Sequence, residues 1–303
     1  MSTILIGVDD TERSADAIAF GGRLAEATGA HVVVAHAYPY SDLHGRANPA
    51  QRNELRERAL AIVREHRARL ATLPDDRVTI RITADPSPAK ALHHLAHAEK
   101  AALLVVGSSH TGRAGRVLPG STGERLTHGA PCAIAVVPTG YRADEPIRRL
   151  GVAFNDSEES RAAVSAAAAL AGALDAELDV ISIVTPETYT TPMLAGIAVQ
   201  DLRPDIEREV QATLDAAVAA LPAGVTAHGV RATGDAEELL TEHSEKLDLL
   251  VMGSRGYGPL RAVLVGGLSG RMLREAHCPV LVVPRGIEAP LAALAGATAT
   301  TTA

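Results

Sequence analysis

The sequence predicts an α/β protein built from two tandem doubly wound, Rossmann-like domains, each with a parallel sheet of five strands. Three observations carry that expectation. Short β-branched apolar runs alternate with helical periodicity along the chain, the pattern of strand–helix–strand units. The chain also repeats itself at a fixed spacing, because Gly253 minus Gly107, Gly266 minus Gly120, Cys278 minus Cys132 and Pro284 minus Pro138 all equal 146. Finally, 303 residues suit two domains of roughly 100–200 residues each. The expected boundaries are 1–141 for the first domain, 142–147 for a linker in the polar stretch TGYRADEP, 148–287 for the second domain and 288–303 for a disordered Ala/Thr tail.

In chain order, TILIGVD over 3–9 reads as a strand, followed by a helix over 14–28. Thr11 or Ser14 is the expected N-cap and Gly29 the C-cap. HVVVAHAY over 31–38 is a strand buried on both faces, as parallel sheets require. Leu55, Ala59, Ile62, Val63, His66, Leu70 and Leu73 recur at spacings of three and four, which predicts a long helix ending at Pro74. Residues 77–83 alternate as a third strand, Pro88 opens a helix to about Glu99, and 103–106 is a fourth strand. A helix over 121–128 and a fifth strand, AIAVV over 133–137, complete the first copy. The second copy repeats the order, with strands at 150–154, 178–184, 225–232, 249–252 and 279–283. Its helices lie at 160–174 and along Ile206, Val210, Leu214 and Leu221.

Composition narrows the function. The 29 basic and 36 acidic residues give a net charge of −7 with no dense Lys/Arg tract. There is no Trp, with two Phe and five Tyr, so the residues of a nucleic-acid partner are missing. No apolar run reaches the roughly 20 residues of a membrane span. The N-terminus MSTILIGVDD lacks a basic segment before its apolar run, which points away from a secretory signal and toward the cytoplasm. Cys132 and Cys278, each entering a strand at equivalent positions, read as core thiols rather than a disulfide. His93 and His97 share a helix face but lack a third ligand, so a solvated face is the simpler reading than a metal site.

The chemistry gathers after the fourth strand of each copy. Gly107 and Gly120, and likewise Gly253 and Gly266, stand 13 residues apart and flank a loop that leads into a helix. Glycines admit main-chain N–H groups close to an anion, and the helix adds its positive end, so each segment reads as a phosphate cradle. Turn glycines are the plainer alternative. Ser121 with Glu124 also fits a helix capping box, and Asp9 fits a helix cap. Arg113-Ala114 and Pro259-Leu260 stand where a P-loop needs Lys-Ser/Thr, which speaks against P-loop hydrolysis. Arg113, Arg116, Arg255 and Arg261 are either phosphate neighbours or solvated loop residues.

The spacing G-x2-G-x9-G-[S/T] resembles that of nucleotide-binding members of the universal stress protein family, and the resemblance spans nearly the whole chain. The first copy presents it as Gly107, His110, Gly120 and Ser121, the second as Gly253, Gly256, Gly266 and Gly267. His110 replaces a glycine, and Gly267 replaces a hydroxyl residue. The resemblance implies a ribose-binding Asp at the end of the first strand, a position that falls on Asp9 in the first copy and on Asn155, an amide in place of the carboxylate, in the second. It implies main chain around adenine at the end of the second strand, on Ala37 and on Ile183. It further implies ATP as the ligand, with or without Mg2+, and a stress-response regulatory role by binding rather than turnover. The two halves would pack as an intramolecular pseudo-dimer through their last strands, with a homodimer as a further option and an unknown protein partner. Two alternatives stay open, a nucleotide-free interaction scaffold and a slow ATPase or phosphate-transferring enzyme. The divergences lead us to expect the first site to be the tighter.

Overall fold

The computed structural model describes residues 2–40, 49–108, 126, 131–141, 144–189, 199–254, 256–257, 262–263, 267–285, 291 and 294. The first half runs β1 (Thr3–Gly7), α1 (Arg13–Thr28), β2 (His31–Tyr38), α2 (Pro49–Ala68), β3 (Val78–Ala84), α3 (Pro88–Ala98), β4 (Ala101–Gly107) and β5 (Ala133–Val137). The second runs β6 (Arg149–Ala153), α4 (Glu158–Leu174), β7 (Glu177–Val184), α5 (Val199–Ala219), β8 (Ala227–Thr233), α6 (Ala236–Ser244) and β9 (Leu249–Ser254). A hairpin of β10 (Gly256–Tyr257) and β11 (Ala262–Val263), α7 (Leu268–Glu275) and β12 (Val280–Pro284) follow.

Ten of these strands form one sheet in the order β3-β2-β1-β4-β5-β12-β9-β6-β7-β8. Within each half the pairings are parallel. The halves meet where β12 runs antiparallel to β5, with Val280 opposite Val136, Leu281 opposite Ala135 and Val282 opposite Ile134. Because the direction reverses there, the carboxyl ends of the two halves lie at opposite ends of the sheet. Each half reverses its strand order once, between β1 and β4 and between β6 and β9. Open parallel sheets bind ligands at such switch points.

The strand sequences explain the two layers. In β1, Ile4 and Ile6 face a core shared with α1, α2, α4 and α5, while Leu5 faces one shared with α3, α6 and α7. Both cores run unbroken across the β5–β12 seam, and α1 packs against α4 over it. Tyr141, at the exit of the first half, sits edge-on to Phe20 with ring centroids 5.6 Å apart. Cys132 and Cys278 are free and buried, and burial pushes both thiols up to about 12.

Several expectations need correction. α1 is preceded by Glu12 without a side-chain cap, so neither Thr11 nor Ser14 caps it. α2 stops at Ala68, six residues short of Pro74. Leu70 and Leu73 stay on the apolar stripe by burying from the turn that follows. In the second half, likewise, Leu221 lies beyond the end of α5. The hairpin β10–β11 inside the second glycine segment had no apolar signal long enough to announce it. Of residues 288–303, read as disordered, Leu291 and Leu294 are described, and both are helical and fully buried in the core. The expected helix over 121–128 lies outside the described residues except for Leu126, which is helical and buried. C-capping follows local chemistry. Gly29 takes φ 70, and the equivalent Asp175 takes φ 52, a conformation Asp tolerates better than most side chains.

Two measurements check this architecture. Leu281, fully buried at the seam, should cost about 2–5 kcal/mol in urea unfolding when changed to Ala; a loss below about 1 kcal/mol would place it outside a packed core. Raised so far, both thiols stay protonated at pH 8 and lack the nucleophilic thiolate. A disulfide reagent should therefore titrate no thiol in the native protein and two after denaturation.

Candidate functional site

Each switch point opens into a cleft. In the first half it is lined by Gly7, Val8 and Asp9 at the end of β1, His36 and Ala37 of β2, and Val106 to Ser108 at the end of β4. Its described walls enclose about 150 Å³. In the second half the cleft holds about 640 Å³, within the usual size of small-molecule sites.

The loops after β1 and β6 share an Asx-type turn made by different residues. Asp9 closes a turn, its Oδ1 accepting from Thr11 N–H at 3.0 Å, from the Thr11 hydroxyl and from the Ser14 hydroxyl at 2.9 Å. Ser14 also accepts from Asp9 N–H at 2.7 Å. Two histidines brace this loop from other elements. His36 Nδ1 donates to the Val8 carbonyl at 2.7 Å, and His66 Nε2, from α2, donates to the Asp9 carbonyl at 3.0 Å. Arg58 pairs with Asp10. In the second half, Asn155 Oδ1 accepts from Ser157 N–H at 3.3 Å and the Ser157 hydroxyl at 2.7 Å. Here Ser157 does cap α4, accepting from Ser160 N–H at 3.3 Å.

The glycines at the fourth-strand ends serve packing. A β-carbon on Gly107 would lie 2.5 Å from the Arg13 carbonyl oxygen, and one on Gly253 would lie 2.3 Å from that of Glu159. Only a residue without a side chain lets β4 and β9 pass that close to the starts of α1 and α4. Close packing is thus a second reason for glycine at 107 and 253, beside the anion approach expected of them. The start of α7 also lines the second cleft. Gly267 is its N-cap with no side-chain cap bond, and Gly267, Leu268 and Ser269 all line the cleft. N–H groups at such an end lack intrahelical partners and carry the positive end of the helix dipole. Nothing lies within 4 Å of a β-carbon placed on Gly267, so space does not demand glycine there. The lining also includes the apolar side chains of Ile181, Ile183, Leu240 and Met252.

The structure thus gathers Asn155, Ile183, Gly253 and Gly267 around one cleft and Asp9, Ala37 and Gly107 around the other. Gly256 lies in β10, paired with Val263. His110, Gly120, Ser121 and Gly266 lie outside the described residues. Sequence reasoning missed His36, His66, Arg13 and Glu159 at these loops. The offset of 146 pairs Arg13 with Glu159 and was the available signal for that position, whereas the histidines reach the site only through tertiary packing. Among the described residues, no group of three or more His, Cys, Asp or Glu is arranged to hold a metal.

Comparison with known proteins agrees with this arrangement. The model of the Universal stress protein family matches the chain twice, over residues 1–138 and 146–284. The chain belongs to the universal stress protein family. The Bacillus subtilis universal stress protein YxiE is 33% identical over 141 residues, 44% of this chain and 95% of its own length. A Mycobacterium bovis universal stress protein is 28% identical over 232 residues, 75% of this chain and 79% of that one. A crystal structure of a universal stress protein from Archaeoglobus fulgidus shares the fold, with a TM-score of 0.69 at 18% identity over 94% of this chain and 98% of its own.

The two glycine environments differ enough to test. Gly253→Ala should destabilise the protein by about 1–3 kcal/mol through overlap of main chain with the start of α4. Gly267→Ser should cost less than about 0.5 kcal/mol. Urea unfolding of the two variants checks the contrast, and equal costs would contradict it.

Proposed function

We propose that this protein binds adenine nucleotides, with ATP as the principal ligand, and acts as a stress-response regulator through occupancy rather than turnover. The observation that carries the reading is the layout of the larger cleft. Its lining combines apolar side chains able to cover a purine, the uncapped start of α7, able to receive phosphate, and the polar residues Asn155 and Ser157. A carbonyl edge at Ile183 and its counterpart Ala37 would meet the base, and the residues at 9 and 155 would meet the sugar. Gly120, Ser121, Gly266 and Gly267 would cradle the phosphates, together with His110 and Gly256 of the same motif. Mg2+, if it accompanies ATP, would be held by the phosphates.

Family membership supports the stress role and a cytoplasmic location. The protein partner that reads the occupied state is not specified by any described surface.

Mass spectrometry of the purified protein after denaturation should release adenine nucleotide. In calorimetry, Gly120→Glu combined with Gly266→Glu should abolish ATP binding, because a carboxylate at the cradle repels phosphate and fills the space it needs. Undiminished affinity in the double variant would contradict the assignment, and an empty protein that also fails to bind added ATP would favour a nucleotide-free scaffold.

A further inference from the structure

The two clefts present different atoms to the sugar. Asp9 Oδ1 is consumed by its three donors from Thr11 and Ser14, and among the described residues Oδ2 has no protein partner. The free edge of residue 9 is therefore a charged acceptor. At Asn155 the turn fixes the amide's orientation, because Ser157 N–H can only donate and must face Oδ1. The free edge of residue 155 is consequently Nδ2, a neutral donor, also without a protein partner among the described residues. The loops differ in backbone as well. Asp156 sits at φ 61 and is held by Arg161 at 2.8 Å, while Asp10 has no positive φ and pairs with Arg58. Ser160 turns its hydroxyl to the Ser157 carbonyl at 2.9 Å, whereas Ser14 donates to the carboxylate of Asp9.

We infer that this exchange makes the two clefts read the sugar differently. The first requires ribose hydroxyls as donors, and the second accepts adenine nucleotides whose sugar hydroxyls are absent or blocked. The inference rests on the adenine-nucleotide reading, since it takes residues 9 and 155 as the groups lying between the base wall and the phosphate end. A carboxylate facing a sugar edge with no donor to offer is left desolvated and unpaired, a large loss. An amide N–H facing the same edge loses a weaker, uncharged bond and still meets ether or ester oxygens. An acid at a nucleotide's sugar edge selects for free hydroxyls in other doubly wound sheets by the same logic.

Calorimetry on the full chain tests this with ATP and 2′,3′-dideoxy-ATP as probes. Gly266→Glu leaves the first cleft to be read alone, and Gly120→Glu leaves the second. In the Gly266→Glu protein, dideoxy-ATP should bind roughly tenfold or more weakly than ATP, and in the Gly120→Glu protein within about threefold. Asn155→Asp in the Gly120→Glu background should restore the tenfold dependence, and Asp9→Asn in the Gly266→Glu background should remove it. Without any cradle variant, ATP should fill two sites at a concentration where dideoxy-ATP fills one. Equal dependence on the hydroxyls in both clefts, or no response to Asn155→Asp, overturns the inference while leaving adenine-nucleotide binding in place. Failure of the unaltered protein to bind ATP at all overturns both.

Discussion

The antiparallel pairing of β12 with β5 is the contact on which the rest depends. Each of these strands would otherwise be the bare edge of a five-stranded parallel sheet, made of Ala, Ile, Val and Leu with unpaired backbone groups. Pairing them satisfies both edges at once and lets the apolar layers on either face continue from one half to the other. The reversal at that seam also sets where ligands can go. Parallel strands within a half direct their carboxyl ends one way, so the two clefts open at opposite ends of a single sheet, each at its own switch point.

Duplication supplied two equal frames, and the differences between them are local substitutions at matched positions. Gly29 and Asp175 end their helices in the same left-handed conformation by different means. Arg13 and Glu159 have opposite charge at the same step of the loop, while their carbonyls press on Gly107 and Gly253 in the same way. Glu159 is nearly buried and lies 3.7 Å from Arg285. At positions 9 and 155 the turn is conserved in form and its outward-facing atom changes from acceptor to donor. Packing tolerates such changes because the turn uses only one oxygen of the residue. The other atom has no protein partner among the described residues.

Much of this was legible in the sequence. A fixed offset of 146 with no insertion across the glycine segments named both halves. Continuous apolar runs placed the eight inner strands of the main sheet, which are buried on both faces, while the half-exposed edge strands β3 and β8 carry a weaker signal. The same pattern put Asp9 at a strand end, whereas Asn155, Ala37 and Ile183 were singled out by the family resemblance. Less legible were features decided by tertiary contact. The stripe of α2 runs on to Leu73 although the helix stops at Ala68, since a turn can bury the same side chains. Leu291 and Leu294 sit in a low-complexity stretch whose composition hides two core residues. His36 and His66 reach the first loop from 28 and 57 residues away, a distance no local pattern spans. The glycine spacing was read as an anion cradle, and the strand–helix contact that also demands glycine at 107 and 253 shows only in three dimensions.

The central claim is that one seam-joined sheet carries two adenine-nucleotide clefts at its opposite ends. Photolabelling with 8-azido-ATP, followed by peptide mapping, tests it most directly. The account predicts label in two places, on peptides around Ala37 and around Ile183, both lost when excess ATP competes. Label confined to neither region, or label that ATP does not displace, would contradict it.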